Sequence, residues 1–168
     1  YSIHLKSSPS SAPENIKHYE YIAEPGRDRR RELFETLIEN IGDSGSIIVY
    51  SDFEKLCIKR AAERYPGLRD RLNAMLPRIF DLCGFMRENY YHPDFNGAYS
   101  IKKTLPVLVP SMSYSGLAVQ SGADAIVKHY NLAAGKLSAH ERERLKKELS
   151  EYCALDTMAM VKLHESLL

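Results

Sequence analysis

The chain has 168 residues, 44% of them hydrophobic, and its 23 basic and 22 acidic residues nearly cancel. That length supports one domain with a real core. No apolar run is long enough to span a bilayer, so no membrane partner is expected, and any anion-binding surface has to be local rather than global.

The three cysteines, Cys57, Cys83 and Cys153, are far apart and each sits among apolar residues. They read as buried thiols of a reducing, cytoplasmic compartment rather than as a disulfide frame or a zinc site. No secretory signal is visible. The chain starts at Tyr1 inside a strand-like pattern and without a methionine, and so reads as a fragment.

In chain order, residues 1–6 alternate and predict a strand. A Ser- and Pro-rich loop follows over 7–15, then a second alternating stretch over 18–24, so the first two dozen residues predict an antiparallel hairpin closed off by Pro25-Gly26. A helix is predicted from about Asp28 to Asn40, burying Leu33, Phe34, Leu37, Ile38 and Ile41. Arg27, Arg29, Arg30 and Arg31 crowd its start, the wrong sign for the positive end of a helix dipole. They form either a solvated face or a phosphate-facing patch.

Residues 46–50 are an unbroken β-branched run, the pattern of a central strand buried on both faces. The chain then passes directly into a helix reaching Tyr65, with Phe53, Cys57, Ala61 and Tyr65 inward. This places Ser51 to Glu54 at the carboxyl end of a strand, where α/β proteins bind ligands. Ser51-x-x-Glu54 equally matches a capping box, and the two readings stand level.

A short helix over 68–76, a strand over 78–83 carrying Asp81 and a helix near 85–90 follow. Residues 90–97 form an aromatic loop whose rings either pack on the core or stack on bases, with Lys102 and Lys103 next to it. Ser100 to Pro106 opens a helical turn and 113–120 is irregular. A helix is predicted over 123–131, and Ser138-Ala-His-Glu141 is a capping box that starts a long last helix.

On that last helix Leu145, Leu149, Tyr152, Ala159, Leu163 and Leu167 make one apolar stripe at about 100° per residue. Asp156 lies in its middle. A carboxylate there is costly unless paired, hydrogen-bonded or bound to a cation, and the Tyr152 phenol one turn earlier shares its face. Asp156 is therefore a metal-ligand candidate. The structural alternative is that it caps a neighbouring loop or pairs with an arginine inside.

Tyr152-x-x-x-Asp156 on a late helix resembles the third motif of the DEDDy 3′–5′ exonucleases of the ribonuclease H-like superfamily. Val49-Tyr-Ser-Asp-Phe-Glu54 resembles that superfamily's second motif, with Glu54 in place of the usual Asp and the usual Asn missing. Segments 49–55, 90–95, 100–106 and 152–160 are similar to the bacterial domain of unknown function family 2779.

This resemblance implies a mixed α/β, ribonuclease H-like sheet flanked by helices, in a single domain over 1–168 that lacks its first strand and the Asp-x-Glu motif on it. It implies a metal-dependent 3′–5′ exonuclease acting on DNA or RNA, at single-stranded 3′ ends, alongside other domains of a parent protein. Asp156 and Glu54 would hold Mg²⁺ or Mn²⁺, Tyr152 would orient the attacking water, and Tyr91, His92, Lys102 and Lys103 would contact nucleic acid. A two-metal site needs the upstream acids as well, so this chain alone is expected to bind metal weakly and cleave little. The alternative is a nuclease-like fold that has lost catalysis and binds nucleic acid or protein.

Overall fold

The computed structural model describes residues 1–7, 15–23, 26–135 and 137–168. Among the described residues four strands and seven α-helices run in the order β1 (Ser2–Lys6), β2 (Ile16–Glu20), α1 (Arg30–Ile41), β3 (Ile47–Val49), α2 (Phe53–Arg64), α3 (Arg69–Met75), β4 (Ile79–Asp81), α4 (Leu82–Asn89), α5 (Ile101–Leu108), α6 (Gly122–Ala133) and α7 (Ala139–Ser166). No described helix is long and apolar enough to cross a membrane. The chain divides into two compact units: Tyr1–Leu33 with Tyr114–Met158, and Phe34–Ser113 with Ala159–Leu168.

In the first unit β1 and β2 pair antiparallel, with His4 opposite His18 and Ser2 opposite Glu20. The hairpin expectation holds for these strands; residues 8–14 of the expected tip and Pro25 lie outside the described residues. The arginines at the start of α1 are answered by acids. Arg30 bonds Asp28, while Arg29 bonds Glu32 at 3.1 Å and Arg27 reaches the same carboxylate at 3.6 Å. That pairing offsets the unfavourable dipole placement.

Ser121 caps α6 by accepting from the Asp124 N–H, and the Ser138–Glu141 box forms at the start of α7. The Glu141 carboxylate accepts from Ser138 N–H at 2.9 Å, and the Ser138 hydroxyl accepts from Glu141 N–H. These bonds satisfy amides that a helix start leaves open.

In the second unit β3 and β4 pair parallel, Ile47 opposite Ile79 and Val49 opposite Asp81. Arg78, just before β4, donates to the carbonyls of Gly42, Ser44 and Gly45 at 2.7, 2.5 and 2.8 Å. Gly42 and Gly45 adopt φ of 67° and 84°, which lets the turn point three carbonyls at one guanidinium at no steric cost. This non-local staple fixes where β3 begins against β4.

Around that ladder Leu37, Ile38, Val49, Ile58, Leu72, Met75, Leu82, Met86 and Leu105 form a buried core. Ile47 and Ile48 are only half-buried, so the expected central strand is instead three residues of a two-stranded ladder. Among the described residues the strands form two separate two-stranded sheets rather than one mixed sheet. The coarse class, α/β with small sheets flanked by helices, stands.

Candidate functional site

The 28-residue α7 buries Leu145, Leu149, Tyr152, Ala159 and Leu163 along the expected stripe. Asp156 sits half-buried in its middle. Its carboxylate accepts hydrogen bonds from two phenols. One is Tyr152, one turn back on the helix, and the other is Tyr114, from the irregular segment before α6. The two rings lie 6.0 Å apart, tilted by 48°.

Burial first, and the Asp156 charge second, push the Tyr152 hydroxyl well above its ordinary range. It therefore stays protonated as a donor to the carboxylate. The segment is fastened just after Tyr114. Val119 is fully buried, and Lys128 of α6 donates to the Ala118 carbonyl at 2.9 Å and to Glu148 of α7 at 2.7 Å. Asp156 thus fastens a loop as well as facing Tyr152, through a phenol and not through the loop cap or arginine pair that the sequence left open. No periodic pattern marks Tyr114, and its partner is 42 residues away.

Glu54 belongs to the second unit, as the second residue of α2, and is exposed. It accepts from the Ser51 hydroxyl at 3.3 Å, while Ser51 accepts from the Phe53 N–H at 3.2 Å. The bonds are local, but the N-cap of α2 is Asp52 with no side-chain cap bond, and Glu54 takes a hydroxyl and not a backbone amide, so the capping box expected from Ser51 and Glu54 does not form. Phe53 is 66% exposed, contrary to its expected inward position. The buried face of α2 runs through Ile58, Ala61 and Ala62, and Phe53 falls about 140° around the helix from Ile58 at 100° per residue. With Asp52, Lys55, Leu56 and Lys59 it lines a shallow cleft.

Tyr50, at the end of β3, bonds the Tyr99 carbonyl at 2.8 Å and the Thr104 hydroxyl at 2.7 Å. Burial pushes its own hydroxyl up to about 12. The aromatic loop packs inward through Phe95, which is 1% exposed. The His92 ring rests 5.6 Å from it, with Nδ1 accepting from the Asp94 N–H. Tyr91 stands out at 80% exposure, Lys103 is exposed and Lys102 is half-buried. The three cysteines are free, half-buried thiols, each raised above its ordinary range chiefly by burial.

Among the described residues no group of three or more His, Cys, Asp or Glu side chains is placed to hold a metal ion. Asp156 suits a hard divalent cation by its chemistry, but its shown partners are phenols. The described residues do not by themselves fit a two-metal centre.

The geometry therefore defines a mixed α/β protein with a tyrosine-clamped acid on its long last helix. The chain belongs to the family described as "Domain of unknown function (DUF2779)", whose model matches residues 1–100. It is similar to "Uncharacterized protein UU173" of Ureaplasma parvum serovar 3 (strain ATCC 700970), 26% identical across 88% of this chain. The chain spans about a quarter of the length of that curated relative, 24%. No solved structure matches it.

Proposed function

We propose that the chain is part of a nucleic-acid-processing protein of ribonuclease H-like fold, and that Tyr152 and Asp156 are its contribution to a metal-dependent 3′–5′ exonuclease site. The observation that carries this reading is a carboxylate kept on the packed face of α7 with a protonated phenol one turn away. Placing a charge there is costly, and a phosphodiesterase site using Mg²⁺ or Mn²⁺ gives the carboxylate a use. Glu54, exposed in the second unit near the start of α2, is the other acid that the resemblance names.

Phe53 beside Lys55 and Lys59 offers a ring for a base and cations for phosphates. With Tyr91 and Lys103 also exposed, single-stranded DNA or RNA is the proposed partner class. The remaining acids of a two-metal site would come from outside the groupings described here, in other domains or upstream sequence of a longer protein.

A second reading is favoured by one observation. Tyr114 already binds the Asp156 carboxylate, so the acid is accommodated without a cation, as in a fold that has lost catalysis and binds nucleic acid or protein. The test uses the protein at its full natural length, a 5′-labelled single-stranded oligonucleotide and Mn²⁺. Stepwise shortening from the 3′ end that disappears in Asp156→Asn supports the exonuclease. Binding that weakens with salt, with no Mn²⁺-dependent shortening, supports the second reading.

A further inference from the structure

The β1–β2 pair turns an unusual face toward α7. Strand alternation puts Ser2, His4 and Lys6 on the same side as Ile16, His18 and Glu20. His4 and His18 are directly opposed, and their rings stack 4.5 Å apart at 25°. The Thr157 hydroxyl of α7 lies 2.7 Å from His4 Nδ1 and 3.0 Å from the Ser2 hydroxyl, which lies 2.9 Å from His18 Nε2. Four side chains thereby close one polar chain, His18–Ser2–Thr157–His4. A second fastening joins Glu20 to the Ser150 hydroxyl. Ser150 and Thr157 are seven residues apart, two turns, and so share a face of the helix.

We propose that the β1–β2 pair is a proton-operated latch on α7, closed when His4 is neutral and released when His4 takes up a proton. Protonation of His4 puts a charge on a half-buried ring stacked against a second imidazole, and among the described residues no carboxylate is bonded to His4 in compensation. The titratable and charged groups that share the strand face of His4 are Lys6, His18 and Glu20, and those within one turn of Thr157 on α7 are Cys153 and Asp156. Glu20 is engaged by Ser150 and Asp156 by the two phenols.

Burial, followed by the charge of His18, holds His4 at about 4, below its ordinary 6.5. A base lowered in this way favours the closed state fully above pH 6.5, and that contribution is lost as pH falls toward 4. Thr157 follows Asp156 in the chain, so the latch grips the helical turn that carries the candidate acid.

The test is amide hydrogen exchange of residues 2–6 and 16–20 at pH 7 and pH 5, corrected for intrinsic rates, with residues 47–49 and 79–81 as internal reference. The opening equilibrium of the β1–β2 pair should rise about twentyfold on acidification, from that difference in proton affinity, with little change in the reference ladder. His4→Gln, which keeps hydrogen-bonding capacity, should flatten the response. Should that variant not fold, the His4 ring is titrated in the unaltered protein by NMR. A pH-independent opening, an unaltered response in His4→Gln, or a His4 ring titrating near 6.5 overturns the latch.

Discussion

Asp156 and Glu54 carry the same charge and come from the same motif argument, yet the two units house them differently. In the first unit Asp156 is half-buried on a packed helix face and bonded by two phenols, Tyr152 one turn before it on the same helix and Tyr114 from 42 residues away.

 One phenol is a neighbour on its own helix and the other belongs to a distant segment, so the acid holds tertiary structure together. In the second unit Glu54 is exposed, and its bond to Ser51 is three residues long. The difference teaches that a motif's spacing marks an acid but not its energetic role. That role depends on whether removing the acid strands buried partners or merely frees a surface side chain.

The largest effect should come from Tyr152→Ala, which deletes a buried ring and one phenol of the clamp. A loss of about 3 kcal/mol or more is expected in urea denaturation, as for other buried aromatic truncations. Tyr152 also gives the comparison a pH dependence. Its hydroxyl is raised above the ordinary value of 10, so its contribution is complete below pH 10 and is lost as pH rises beyond it. Tyr50 acts in the same direction. Tyr152→Phe should therefore lessen, without abolishing, the alkaline fall in stability followed by circular dichroism.

Asp156→Ala should cost about 1–3 kcal/mol, because it leaves two phenol hydroxyls without their acceptor. A neutral or stabilising result would instead indicate carboxylate crowding. Glu54→Ala should fall within about 0.5 kcal/mol of the unaltered protein, the usual range for an exposed position. A cost comparable to that of Asp156→Ala would erase the distinction between the two acids.

The sequence made the long helix legible because its apolar stripe repeats over many turns and its start carries a complete capping box, Ser138 with Glu141. The pair Tyr152 and Asp156 was legible for the same reason, being one turn apart on that stripe. Tyr114 was not, since the segment around it has no period and its bond crosses 42 positions. Arg78 was hidden likewise, its three acceptors lying more than thirty residues upstream. Phe53 was misplaced because a short helix allows more than one apolar stripe, and tertiary packing selected the one through Ile58. The run at 46–50 fits a buried strand by composition, but only the three residues Ile47–Val49 pair with β4.

The central claim is that Tyr114 and Asp156 act as a bonded pair across the first unit. A double-mutant cycle in urea, with Tyr114→Phe, Asp156→Ala and the combination, measures that bond. The clamp predicts a coupling of about 1 kcal/mol or more between the two positions, the scale of a hydrogen bond to a charged acceptor. Additive effects, with no coupling beyond error, would contradict it.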